Sequence, residues 1–159
     1  MEYLPLLIAV GTNDPKNTKY KVYDSLDFGC YVKSVPFNLF PKVKNIQTQK
    51  WNDENGDDEY MPAEPRYEAY EMEVEFVYKG NYGDANYDIL KFIETIQGKW
   101  LKLYDSYTQI GRQMVRYVSL NDKATLYRRK GTNDGSLGKD YVTFKVKFKV
   151  NDPITNITL

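Results

Sequence analysis

Apolar and polar residues alternate most cleanly in two stretches of this chain. In the first, Tyr70, Met72, Val74, Phe76 and Tyr78 alternate with Glu71, Glu73, Glu75 and Lys79; in the second, Val142, Phe144, Val146, Phe148 and Val150 alternate with Thr143, Lys145, Lys147 and Lys149. A period of two predicts strands with one buried face and one face turned to solvent or a partner. Gly80 and Gly83 end the first strand. Asp84 or Asn86 is placed to cap a helix of about three turns, with Ile89, Phe92, Ile93 and Ile96 at helical spacing and Gly98 at the left-handed C-terminal position. Trp100 to Tyr104 returns to strand character, and Asp105 to Gly111 reads as a turn. Met114, Arg116 and Val118 open a further alternation that continues past Asn121 to Arg129 as a hairpin with a polar tip.

The remaining segments are shorter. Leu4 to Val10 is an apolar run ended by a turn signal from Gly11 to Pro15, and Tyr20 to Tyr23 alternates briefly. Phe28 to Val32 is a strand candidate in which Gly29 marks a bulge or a sharp turn. Pro36, Pro41, Pro62 and Pro65 deny long regular structure between them, although Val43 to Trp51 has room for one strand. Gly131 to Gly138 reads as a loop, and nothing after Pro153 signals a fold. The expectation is a mainly β chain with one α-helix (α+β), a β-sandwich or split barrel of antiparallel strands with the helix packed on it. It forms one domain over 1–159, with a core from about 20 to 150, loops at 47–66 and 131–140 and a tail at 151–159.

Composition narrows the function more than the fold. The 22 basic and 22 acidic residues balance, so no global field draws the chain to nucleic acid or an anionic membrane. Histidine is absent, which removes the usual base near neutral pH and a common metal ligand. Cys30 is the only cysteine, and with no histidine to activate it, it reads as a small buried apolar residue. The Leu4 to Val10 run is too short to span a membrane and is not preceded by basic residues as in a leader, so a cytoplasmic chain is expected.

The segment from Asn52 to Glu64 holds Asp53, Glu54, Asp57, Asp58, Glu59 and Glu64 with no Lys or Arg. Asp53, Asn55 and Asp57 have the spacing of the first ligands of a calcium loop, but the required glycine at the sixth position is Asp58. An exposed acidic loop, without metal, is the expectation. Paired carboxylates could serve a glycosidase, yet these lie on a regular strand face or in a loop, so neither enzyme nor cofactor is expected.

Two charge patterns suggest contacts. Glu71, Glu73 and Glu75 on the first strong strand complement Lys145, Lys147 and Lys149 on the last. If the strands are neighbours, each opposed pair adds about 0.2–1 kcal/mol and disfavours other registers. Arg112, Arg116, Lys123, Arg128, Arg129 and Lys130 make the hairpin region basic. One copy's basic hairpin meeting the acidic loop of the next is a heterologous contact that closes into a ring if the rotation permits.

The order strand, glycine loop, helix, strand, hairpin between Tyr67 and Leu120 resembles the N-terminal domain of the distal tail proteins of long-tailed bacteriophages. The resemblance is carried by RYEAYEMEVEFVYKG at 66–80, DILKFIETIQGKWLKLYDSYT at 88–108 and GRQMVRYVSL at 111–120, with LDFGCYV at 26–32 similar to the family's opening strand. It implies a hexameric ring joining the tail tube to the baseplate or tip, partners among other tail proteins, and location in the virion tail after assembly in the host cytoplasm. Tube and terminator subunits are similar in core. The family's basic turn before the long strand is replaced here by the acidic WNDENGDDEY at 51–60.

Other classes fit less well. A carbohydrate-binding or adhesin module would use the two Trp and 15 Tyr as stacking surface, but strand propensity and interface packing account for tyrosines equally. Tyr117 and Tyr127 among basic residues suggest nucleic-acid binding, against which the balanced charge argues.

Overall fold

A computed structural model describes residues 2–81, 83–121 and 140–159. In chain order the strands are β1 (Leu6–Val10), β2 (Lys21–Asp24), β3 (Cys30–Ser34), β4 (Thr48–Lys50), β5 (Asp57–Glu59) and β6 (Tyr70–Gly80). The helix α1 (Ala85–Ile96) follows, then β7 (Leu101–Asp105), β8 (Ile110–Asn121) and β9 (Asp140–Val150). Seven strands form one antiparallel sheet in the order β2-β1-β7-β8-β9-β6-β3, and β4 pairs only with β5. The chain is therefore mostly antiparallel β with one helix, built as one continuous sheet rather than two facing ones.

That sheet must curl. Its edges, β2 and β3, would lie about 29 Å apart if seven strands were flat. They are joined by residues 25–29 alone, which span at most about 20 Å even when extended, and Ser25–Phe28 are wound into a 3-10 helix. Asp24 caps that turn: its carboxylate accepts from Leu26 N at 2.9 Å, while Asp27 accepts from Asp24 N at 3.1 Å. Gly29 then takes φ +73°, and a Cβ there would come within 2.9 Å of the Lys79 carbonyl and 3.0 Å of the Tyr78 ring. The glycine is required by both conformation and space.

The concave face is the core. Ile8, Val74, Phe76, Leu101, Leu103, Val115, Phe144, Val146 and Phe148 are at most 1% exposed. The α1 stripe of Ile89, Phe92, Ile93 and Ile96 closes over them. Phe92 lies at its centre, with ring centroids 5.3 Å from Phe28, 5.4 Å from Phe76 and 6.5 Å from Phe144. The helix end is as expected, Gly98 taking φ +70°, whereas the Asp84 side chain makes no capping hydrogen bond. The buried Tyr78 hydroxyl donates to Asp88 Oδ2 at 2.5 Å, tying β6 to the first turn of α1.

Both ends of the chain join this body. Leu6, Ile8 and Val10 extend the core ahead of residue 20. The tail after Pro153, which carries no sequence signal, lies against β8: Ile157 N donates to Gly111 O at 3.4 Å, and Asn156 Oδ1 accepts from Gly111 N at 2.8 Å. A Cβ on Gly111 would collide with the Ile157 carbonyl. The expected hairpin extension from Asp122 to Arg129 and the loop from Gly131 to Gly138 lie outside the described residues. No described helix is long and apolar enough to cross a membrane.

Candidate functional site

The two strands with complementary charge are neighbours. Glu71 faces Lys149, Glu73 faces Lys147 and Glu75 faces Lys145 across β6–β9. The ion pairs run partly off this register: Lys147 Nζ lies 3.0 Å from Glu71 Oε2, diagonally, and Glu75 Oε1 lies 3.3 Å from Lys33 Nζ on β3. These groups are partly solvated, so each pair contributes about 0.2–1 kcal/mol and acts mainly on strand pairing.

The acidic segment is not a plain loop. Thr48, Gln49 and Lys50 pair with Glu59, Asp58 and Asp57 to make a small hairpin, braced by Trp51 Nε1 donating to Asp58 Oδ2 at 3.0 Å. It rises from an isolated bridge between Val43 and Tyr67. Every residue from Gln47 to Met61 is exposed, including Trp51, Tyr60 and Met61. Asp53, Glu54, Asp57, Asp58 and Glu59 thus decorate a projecting arm, and among the described residues no three metal-ligating side chains converge.

The basic counterpart divides. Arg128, Arg129 and Lys130 lie outside the described residues. Arg116 is exposed on β8, opposite Lys149. Arg112 does not belong to an exposed surface: it is 5% exposed and faces Leu103 on the core side. Its guanidinium donates to Gly111 O at 2.8 Å and Asn156 Oδ1 at 3.4 Å, and lies 5.9 Å from the centre of the Phe37 ring. The cause is a bulge. The β7–β8 register shifts between Leu101 and Leu103, and Met114 takes φ +53°, so Arg112 and Val115 face the same way and Arg112 does not share the exposed face of Arg116.

A notch that the sequence reading did not single out lies at the start of β7. Asn13, Gly98, Lys99, Trp100, Arg116 and Tyr117 line a volume of about 280 Å³. Its signal was Lys99 and Trp100 directly after the helix-ending glycine, a place where side chains are held at a fixed point on the rim.

A larger cleft of about 470 Å³ sits at the seam between the segment before β1 and the free side of β3, lined by Tyr3, Leu4, Val32, Val35, Asp105 and Tyr107 among others. The Tyr3 hydroxyl both accepts from Val32 N and donates to Val32 O, occupying backbone groups that an edge strand would otherwise present to another chain. Burial raises the Tyr3 phenol above its usual pKa.

Perturbed groups elsewhere are structural. Burial, with the Asp88 charge adding to it, pushes the Cys30 thiol up to about 12, which suppresses the thiolate. Partial burial would raise the Asp152 carboxyl, but hydrogen bonds from Gln113, Thr155 and Ile154 outweigh it and hold the group below its ordinary value. Asp105 accepts from Tyr107 N at 3.2 Å and Thr108 Oγ1 at 2.9 Å, organising the β7–β8 turn. No protein-family model matches the chain, and no curated protein matches it.

Proposed function

We propose that the chain is a virion structural protein, a phage or prophage tail subunit similar to distal tail proteins, which associates with its own copies into a ring between tail tube and baseplate or tip. The observation that carries self-association is the arm. A two-stranded hairpin is marginal alone in water, and here the whole stretch from Gln47 to Met61 is exposed while carrying Trp51, Tyr60 and Met61. Covering those side chains with a second copy removes apolar surface from water and fixes a hairpin that a lone chain supports weakly. The tail assignment rests on the sequence order from Tyr67 to Leu120, and a mostly antiparallel β body with one helix is compatible with it. Tube and terminator subunits, similar in core, meet the same requirement for a ring.

Negative-stain microscopy of the purified chain at low salt tests this reading. Particles with a central hole are the expected result. A strict monomer by native mass spectrometry at high micromolar concentration overturns it.

A further inference from the structure

We propose that the acidic tip of the arm on one copy seats in the notch formed by Lys99, Trp100 and Arg116 on the next. This rests on the self-association reading and names both sides of its contact. The notch carries two cations and no carboxylate, and among the described residues neither Lys99 nor Arg116 is ion-paired. Lys149 stands directly opposite Arg116 across β8–β9. Glu71 faces Lys149 from its other side, so that carboxylate is one strand removed from Arg116, and an anionic partner balances Arg116 directly.

The arm supplies that partner. Asp53 and Glu54 lie at its tip, beyond the strands, with Asp57, Asp58 and Glu59 behind them. At about 280 Å³ the notch is just smaller than the usual small-molecule site and has room for one or two acidic side chains against the Trp100 ring. Within one chain the arm is exposed along its length, so it leaves its own notch free. Arm and notch are different surfaces, which makes the contact head-to-tail, and such contacts generate rings or open helices rather than isolated dimers.

Cysteine pairing tests the geometry directly, because the native Cys30 is fully buried and does not compete. Chains carrying Glu54→Cys mixed with chains carrying Lys99→Cys are expected to form a covalent heterodimer under mild oxidation, with neither variant cross-linking alone. Charge reversal supplies the second measurement. Lys99→Glu with Arg116→Glu, or Asp53→Lys with Glu54→Lys, is expected to weaken association at least ~10-fold, and all four changes in one chain to restore it. Assemblies that form without the cross-link and ignore both reversals overturn this contact and leave the self-association reading standing. A wild-type chain that never assembles overturns both.

Discussion

The curled sheet and the arm are built from opposite economies of surface. In the body, Phe76, Phe92, Phe144 and Phe148 are at most 1% exposed, and β6 and β9 offer alternate residues to the core. In the arm, Trp51 is 52% and Tyr60 70% exposed, and no residue from Gln47 to Met61 is buried. Both regions contain paired strands, so hydrogen-bonded backbone is not what separates them. The body has a second layer, the α1 stripe over the concave face, whereas none of the described residues covers the arm. The body is therefore expected to hold its shape as a single chain, whereas the arm depends on a partner.

The largest effect comes from emptying the centre of the body. Phe92→Ala removes the ring that touches Phe28, Phe76 and Phe144 and is expected to cost about 3–5 kcal/mol, because the sheet and helix cannot fully close on the cavity. Urea unfolding of the variant measures it. A loss below about 1 kcal/mol would mean that the curl is held by its strand ladder alone, and the distinction between body and arm would lose its physical basis.

A pH titration sharpens the same contrast from within the body. The folded Cys30 thiol is held near 12 by burial, against 9.0 for an ordinary thiol. Above pH 9 the unfolded chain therefore releases a proton that the folded chain retains. Stability is full below that pH and falls as pH rises toward 12, by up to ~1.4 kcal/mol per unit from this group. Comparing urea unfolding of the wild type and Cys30→Ala between about pH 8 and 10.5, across the onset of that loss, isolates it. Equal slopes would show that solvent reaches the thiol and that the core around β3 is looser than its burial indicates.

How far the sequence could reach depended on what set each element. β6, β9 and α1 were legible because burial repeats along them at periods of 2 and 3.6, and the pairing of β6 with β9 was legible from Glu71, Glu73 and Glu75 against Lys145, Lys147 and Lys149. The curl was legible only as the split-barrel alternative to a sandwich, since it follows from β2 and β3 lying at opposite sheet edges, a property of topology rather than of any residue. Arg112 was misplaced because a bulge at Met114 shifts the period, which the alternation of residue types conceals. The docked tail escaped notice because Asn156 and Ile157 act through Gly111, whose missing side chain is the only trace in sequence. The arm was visible as acidic and exposed, and its first strand falls within the Val43 to Trp51 stretch that had room for one, but the pairing of Lys50 with Asp57 places the second where charge argues for loop.

The smallest expected effect on stability is the one that most directly separates arm from body. Trp51 braces the hairpin through its Nε1–H to Asp58 and touches nothing in the core cluster. Trp51→Ala is accordingly expected to change global unfolding by no more than about 0.5 kcal/mol, the range of an ordinary surface substitution, while weakening association between copies several-fold through loss of the ordered arm. The two readouts discriminate because a residue that served the fold alone would move unfolding and assembly together. If urea unfolding instead shifts by well over 1 kcal/mol with association unchanged, the arm is part of the cooperative body, and its exposure has another cause than a missing neighbour.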